Sequence, residues 1–234
     1  QHSLSVPVWA ILLARHLGMP QPDIERLALG CLLLDIGKTR LPDGLLEKRR
    51  RLTQEEFELV KQHVKSPNML NHCLAAEAVM RALAEKLDED PEKWGLAGLL
   101  HDLDAEILTD LDEHTRETAR ILRQKGVDAE IVEAVRLHNE QAHPGEKRST
   151  PFQHLLAAGE TITGLIVATA LVYPDRKLAS VKPKSVRKRI KEKAFAAGAN
   201  RDIIRECEAG GIPLDEFCNL SLAAMQGIAD QLDL

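Results

Sequence analysis

Between breakers, apolar residues recur at helical period almost everywhere, and the alternation of a β-strand is nearly absent. The pattern predicts an all-α chain. Breakers at Gly18 to Pro22, Pro42 to Gly44, Asp88 to Pro91, Gly126, Pro144-Gly145, Pro174-Asp175, Pro183, Gly198 and Gly210 to Pro213 divide it into about ten helices. Two starts carry the capping-box pattern, in which side chains satisfy unpaired N-terminal amides: Thr53 with Glu56, and Thr150 with Pro151 and Gln153. The stretch Trp94 to Asp102, WGLAGLLHD, predicts a helix buried on both faces. Leu96, Leu99, Leu100, Leu103 and Ile107 form one core stripe, and Ala97, Gly98, His101 and Ala105 fall opposite, where small residues let another helix come close. Asn200 to Glu208 and Pro213 to Leu232 read as closing amphipathic helices, with Leu220, Ala223, Ala224 and Ile228 toward the core.

The chain repeats itself. HSLSVPVWAILLARHL from His2 parallels HCLAAEAVMRALAEKL from His72, and LGCLLLDIG from Leu29 parallels LAGLLHDLD from Leu96. These read as two copies of one helical unit, the first incomplete. Leu34 stands where His101 stands in the second copy, so Asp35 lacks a neighbouring His and a structural role is expected for unit one.

The same helical periods turn several ionisable groups inward. His72 shares a face with Ala75, Ala76, Val79, Leu83 and Leu87; His138 with Ile131, Ala134 and Val135; His114 with Thr118, Ile121 and Leu122; and Glu160 with Leu156, Ala157, Thr163, Gly164 and Val167. Any one of them alone is more often a core residue satisfied by a neighbour. Together with the His101-Asp102 pair they need mutual compensation, because a buried charge is expensive unless it is paired or bound to a metal. A metal centre supplies it. Mixed imidazole and carboxylate ligands suit iron, manganese, zinc or cobalt, with magnesium and nickel also open, and six ligands are enough for two ions.

Composition narrows the partners. A net charge of −5 with 29% charged residues disfavours general nucleic-acid or membrane affinity. No apolar run is read as long enough for a membrane span, and nothing resembles a secretory signal. Cys31, Cys73, Cys207 and Cys218 follow no CxxC spacing and read as reduced, buried thiols of a cytoplasmic protein. Between Arg176 and Lys193, nine Lys or Arg face a single acid, Glu192. That run is either a solvated helix face or a basic rim that attracts phosphate, with Lys182, Lys184, Arg187 and Lys188 as its contacts. Aromatic residues make up only 3% of the chain, so stacking on DNA or RNA bases is not expected.

His72, His101-Asp102, His114, His138 and Glu160 follow the H…HD…H…H…D order of the HD superfamily of metal-dependent phosphohydrolases, and from about Thr53 to Leu234 the chain resembles its HDIG-type predicted hydrolases. The resemblance implies an HD-domain-like helical bundle and divalent metal held by His72, His101, Asp102 and Glu160. It further implies Asp102 bridging two ions and His114 and His138 completing the ligand set of the second ion. Glu160 departs from the family's usual Asp by one methylene. Residues 1–66 resemble instead a degenerate first half of an HD-GYP domain, in HSLSVPVW, LLLDIGKTRLPDGLLEK and LTQEEFELVKQH; His2, Asp35 and His63 match metal positions, but no HHE or GYP segment follows. The expected organisation is a half-unit over 1–66 and a metal-binding domain over 67–234. The expected activity is hydrolysis of a phosphorylated small molecule or nucleotide, with Asp102 and His101 at its centre. An HD-type di-iron oxygenase and a non-catalytic signalling module are the alternatives.

Overall fold

The computed structural model describes residues 14–16, 18–25, 54–108 and 112–234, with 54–57 described by their backbone alone. The chain divides into two compact units, 1–53 and 54–234. Residues 54–66, expected with the first unit, therefore group with the second. In the first unit, residues 14–16 and 21–25 are helical. The capping box at Thr53, the partners His2, Leu34 and Asp35, and Cys31 lie outside the described residues.

The second unit is all-α, with no strand among the described residues. Its helices are α1 (Gln54–His63), α2 (Pro67–Leu87), α3 (Pro91–Leu100), α4 (Arg116–Gln124), α5 (Ala129–Leu137), α6 (Pro151–Leu171), α7 (Pro183–Lys191), α8 (Arg201–Arg205) and α9 (Leu214–Gln226). Local chemistry sets their starts. Ser66 and Asp90 accept from backbone amides ahead of Pro67 and Pro91, and Thr150 with Gln153 completes the expected capping box ahead of Pro151. The long helices α2 and α6 pack together at the centre; α3 lies along α2, α5 against α3 and α6, and α9 against both long helices.

Small residues control the closest of these approaches. On α2, Ala75, Ala76 and Ala84 are buried, and a Cβ added to Gly98 of α3 would stand 2.6 Å from the Ala76 carbonyl oxygen. The two backbones are thus in direct contact, as the run of small residues predicted. Trp94 stacks on Phe152 with ring centroids 4.9 Å apart, tying α3 to the start of α6. Met80, Leu83, Leu99, Leu155, Leu156, Ile162, Leu165 and Ile166 fill the space between, each fully buried and each contributing about 1.5–3 kcal/mol of transfer free energy.

Several expectations shift. The helix that begins at Pro91 ends at Leu100, so His101 and Asp102 lie in the turn that follows; Leu96 is half-buried and Ile107 is 60% exposed. On α9 the buried face is Phe217, Cys218, Ser221, Leu222 and Met225, whereas Ala223 is exposed and Leu220, Ala224 and Ile228 are half-buried. Phe217 is the largest apolar side chain of the segment, and its burial sets the rotation of that helix. Helix α6 is also long and apolar enough, by length and composition, to cross a membrane, contrary to the expectation from the sequence; here most of it is packed inside the bundle. Cys73, Cys207 and Cys218 are free and buried, as expected, and burial pushes the thiols of Cys207 and Cys218 up to about 12.

Candidate metal centre

The six inward groups come from five places in the bundle. His72 projects from α2 and Glu160 from α6, both inside helices as their faces predicted. The others stand at helix ends. His101 caps α3 and His138 caps α5, while His114 precedes α4 and is not on the helical face expected with Thr118 and Ile121. His101 and His138 use one device: each Nδ1–H donates to the carbonyl three residues back, Gly98 and Val135, at 2.7 Å in both cases. A carbonyl only accepts, so the proton sits on Nδ1 and Nε2 is turned toward the centre.

The other two imidazoles are anchored in the same sense. His114 Nδ1 lies 2.7 Å from Asp104 Oδ1, and His72 Nδ1 lies 2.9 Å from Thr163 Oγ1, whose hydroxyl is spent on the Glu160 carbonyl. All four Nε2 atoms then converge on one carboxylate. Asp102 Oδ2 is 3.3 Å from His101 Nε2 and 3.5 Å from His72 Nε2, and Oδ1 is 3.1 Å from His114 and 3.3 Å from His138. Each oxygen faces one pair of rings.

Electrostatics follow from this enclosure. Burial opposes charge on His101 and on Asp102, yet the pair outweighs it: Asp102 raises the imidazole's pKa, and His101, with His114 and His138, holds the carboxyl well below the usual range. Burial also opposes charge on His114, but the adjacent carboxylates of Asp102 and Asp104 push it up to about 10. The carboxylates therefore attract positive charge to the Nε2 positions, and a metal cation and protons compete for the same atoms.

The donors fit a divalent cation. Asp102 Oδ1 is buried and makes no hydrogen bond, although two imidazole nitrogens stand close to it. His72 and His101 bring their Nε2 atoms within 3.1 Å of each other, an approach that two lone pairs resist unless an electrophile lies between them. Two overlapping sets, His72/His101/Asp102 and Asp102/His114/His138, each place their ligating atoms within 4.8 Å of one another. Glu160 stands just outside both, with Oε2 3.7 Å from His72 Nε2 and Oε1 accepting from the Thr161 hydroxyl.

A cavity of about 480 Å³ opens over this centre, lined beyond the ligands by Asn139, Thr161, Gly164, Ala196, Gly198, Ala199, Asn200 and Ile203. Lys182, Lys184, Arg187 and Lys188 do not line it. They lie on and before α7, where Arg187 bonds Asn219 and Lys188 faces Glu192. The wall over 196–200 is instead held by Arg201, whose buried guanidinium donates to the carbonyls of Arg189, Glu192, Phe195, Ala196 and Ala199.

Besides Arg201, two supporting residues escaped the sequence reading. Asp104, fully buried, accepts from His114 Nδ1 and from the backbone amides of Thr115 and Thr118. It fixes Thr115 at φ 83°, a strained conformation for a β-branched residue, and thereby aims His114. Its only sequence signal was a second acid two places after Asp102. Arg148, 4% exposed at its side chain, donates to the carbonyls of Leu137 and His138 and to the carboxylate of Glu206.

Arg148→Met is expected to cost roughly 2–3 kcal/mol in chemical denaturation, because two buried carbonyls and Glu206 lose their donor. Burial opposes the Glu206 carboxylate, but Arg148 and His154 lower its pKa from the ordinary 4.5. That contribution is present above pH about 4.5 and fades as pH falls through the depressed value, so the variant should lose less stability than wild type on acidification. Parallel acid titrations of the two proteins check this.

Residues 69–170 match the HD domain family, and residues 2–94 match a second HD domain family, the two matches overlapping over residues 69–94. A cyclic di-GMP phosphodiesterase of Pseudomonas aeruginosa is 37% identical over 101 residues, covering 41% of this chain and 24% of its own length. Ribonuclease Y of Thermosipho melanesiensis is 31% identical over 97 residues, covering 41% of this chain and 18% of its own. The chain thus spans a quarter or less of these relatives. No solved structure matches. With the histidines and the His-Asp pair gathered inside the first of these matches, the chain carries a domain of the HD superfamily.

Proposed function

We propose that the chain is a divalent-metal-dependent phosphohydrolase that cleaves a phosphoester or nucleotide at the Asp102 centre. One observation carries the reading: four imidazoles, each fixed by its Nδ1, turn Nε2 toward the two oxygens of a single buried carboxylate. The HD domain match and the phosphodiesterase relative support it.

In this reading His72, His101, Asp102 and Glu160 would hold a first ion, and His114 and His138 with Asp102 would hold a second. Bound divalent ions supply Lewis acidity, neutralising phosphoryl charge and lowering the pKa of water. The chain's own part is preorganisation. Neutral imidazoles bind without cancelling the ions' charge, and the Nδ1 anchors hold the rings so that no reorientation is needed during reaction. Glu160 borders the cavity on the His72 side, close enough to join the first set through its longer side chain. Lys182, Lys184, Arg187 and Lys188 act at a distance, as a basic run that raises the local concentration of an anionic substrate. A cytoplasmic location is part of the same proposal.

The test is metal analysis of protein purified without chelator, followed by a panel of phosphoesters and nucleotides, with His101→Ala/Asp102→Ala as control. Hydrolysis is expected in the reconstituted wild type and not in the control. Charge reversal of Lys184, Arg187 and Lys188 to Glu should raise KM and weaken its dependence on salt. Control activity at the wild-type level would remove the reaction from this site; iron with oxygen consumption and no hydrolysis would favour an oxygenase.

A further inference from the structure

A second cavity, of about 420 Å³, adjoins the metal centre, and the two share His72 and Gly164 as lining. Its character is different. Ala75 of α2, Val167, Ala168 and Leu171 of α6, and Leu232 and Leu234 give it an aliphatic wall. Gly164 lies in the interior of α6, where glycine weakens a helix. Neither backbone nor packing requires it: it has no positive φ, and an added Cβ would meet nothing within 4 Å. Gly164 lines both cavities, so a side chain there would enter the space where they adjoin.

We infer that the two cavities form one two-part substrate site, with a phosphoryl group at the Asp102 centre and an aliphatic chain of the same molecule passing Gly164 into the second cavity. The inference rests on the phosphohydrolase reading and narrows it to phosphoesters of aliphatic alcohols. Apart from imidazoles, no aromatic ring lines either cavity among the described residues, so a nucleobase finds no stacking platform. An aliphatic chain, by contrast, gains about fourfold in binding for each methylene it buries.

Two measurements test it. In the first, metal-reconstituted full chain is assayed with methyl, butyl and hexyl phosphate. The value of kcat/KM should rise by about fourfold per methylene as the chain enters the cavity, and Leu171→Asp, at a half-exposed position on its wall, should flatten that rise. In the second, metal-free protein is titrated with hexylphosphonate and followed by methyl NMR. Shifts are expected at Ala75, Val167, Leu171 and Leu232, and Gly164→Leu should suppress them. Methyl groups that stay unmoved, or kcat/KM independent of chain length, would overturn the inference, as would a preference for nucleotides over hexyl phosphate. Shifts without hydrolysis of any ester would support the aliphatic subsite and overturn the phosphohydrolase reading alone.

Discussion

Asp102→Asn is expected to abolish hydrolysis and strip the protein of metal while leaving the helices in place. The carboxylate is the one group common to both ligand sets, with Oδ2 facing His72 and His101 and Oδ1 facing His114 and His138. Replacing an outer partner of a metal ligand costs roughly 10–100-fold in affinity. Asp102 sits inside both sets, so its loss should exceed about 100-fold. Asp104→Asn supplies the contrast: its carboxylate accepts from His114 and the amides beyond it, so the change should weaken the second ion more than the first. Metal content by mass spectrometry and helicity by circular dichroism check both variants. An Asp102→Asn protein that keeps its metal and its rate would remove this carboxylate from the centre.

The unequal legibility of these two acids is physical. Asp102 stood beside a histidine at the end of an apolar run, where an ionisable pair demands compensation, and His72 and Glu160 were visible because they lie inside regular helices. His101 and His138 were recognised by the same test, although the helices stop short of them; their rings point inward because Nδ1 reaches back to a carbonyl of the last turn. Asp104 gave no such signal, since its role is to accept three donors that a strained turn brings from residues 114–118. Arg201 bonds to carbonyls, which every residue possesses, and Arg148 divides its bonds between carbonyls and a distant glutamate, so nothing in the sequence marks them as clamps. The basic run was conspicuous as charge, yet its geometry depends on how α7 packs on α6 and α9, and that places its side chains away from the cavity lining.

Gly98→Ala is expected to disable the centre without touching a ligand. The new methyl would meet the Ala76 carbonyl at 2.6 Å and its carbon at 2.7 Å, and both atoms are backbone, so no rotamer change relieves the contact. Helices α2 and α3 must move apart. Ala76 lies one helical turn beyond His72, and Gly98 supplies the carbonyl that fixes His101, so the movement acts on the 3.1 Å approach of these two rings. Overpacking of this kind costs roughly 1–3 kcal/mol, and a displacement near 1 Å at a reacting centre costs on the order of 100-fold in rate. Gly164→Ala is the stability control: its Cβ meets nothing, and replacing a mid-helix glycine should stabilise the fold by about 0.5–1 kcal/mol. Denaturation midpoints and metal affinity, measured on both variants, separate the outcomes. If Gly98→Ala kept wild-type stability and metal affinity, the contact between α2 and α3 would not be what sets the spacing of His72 and His101.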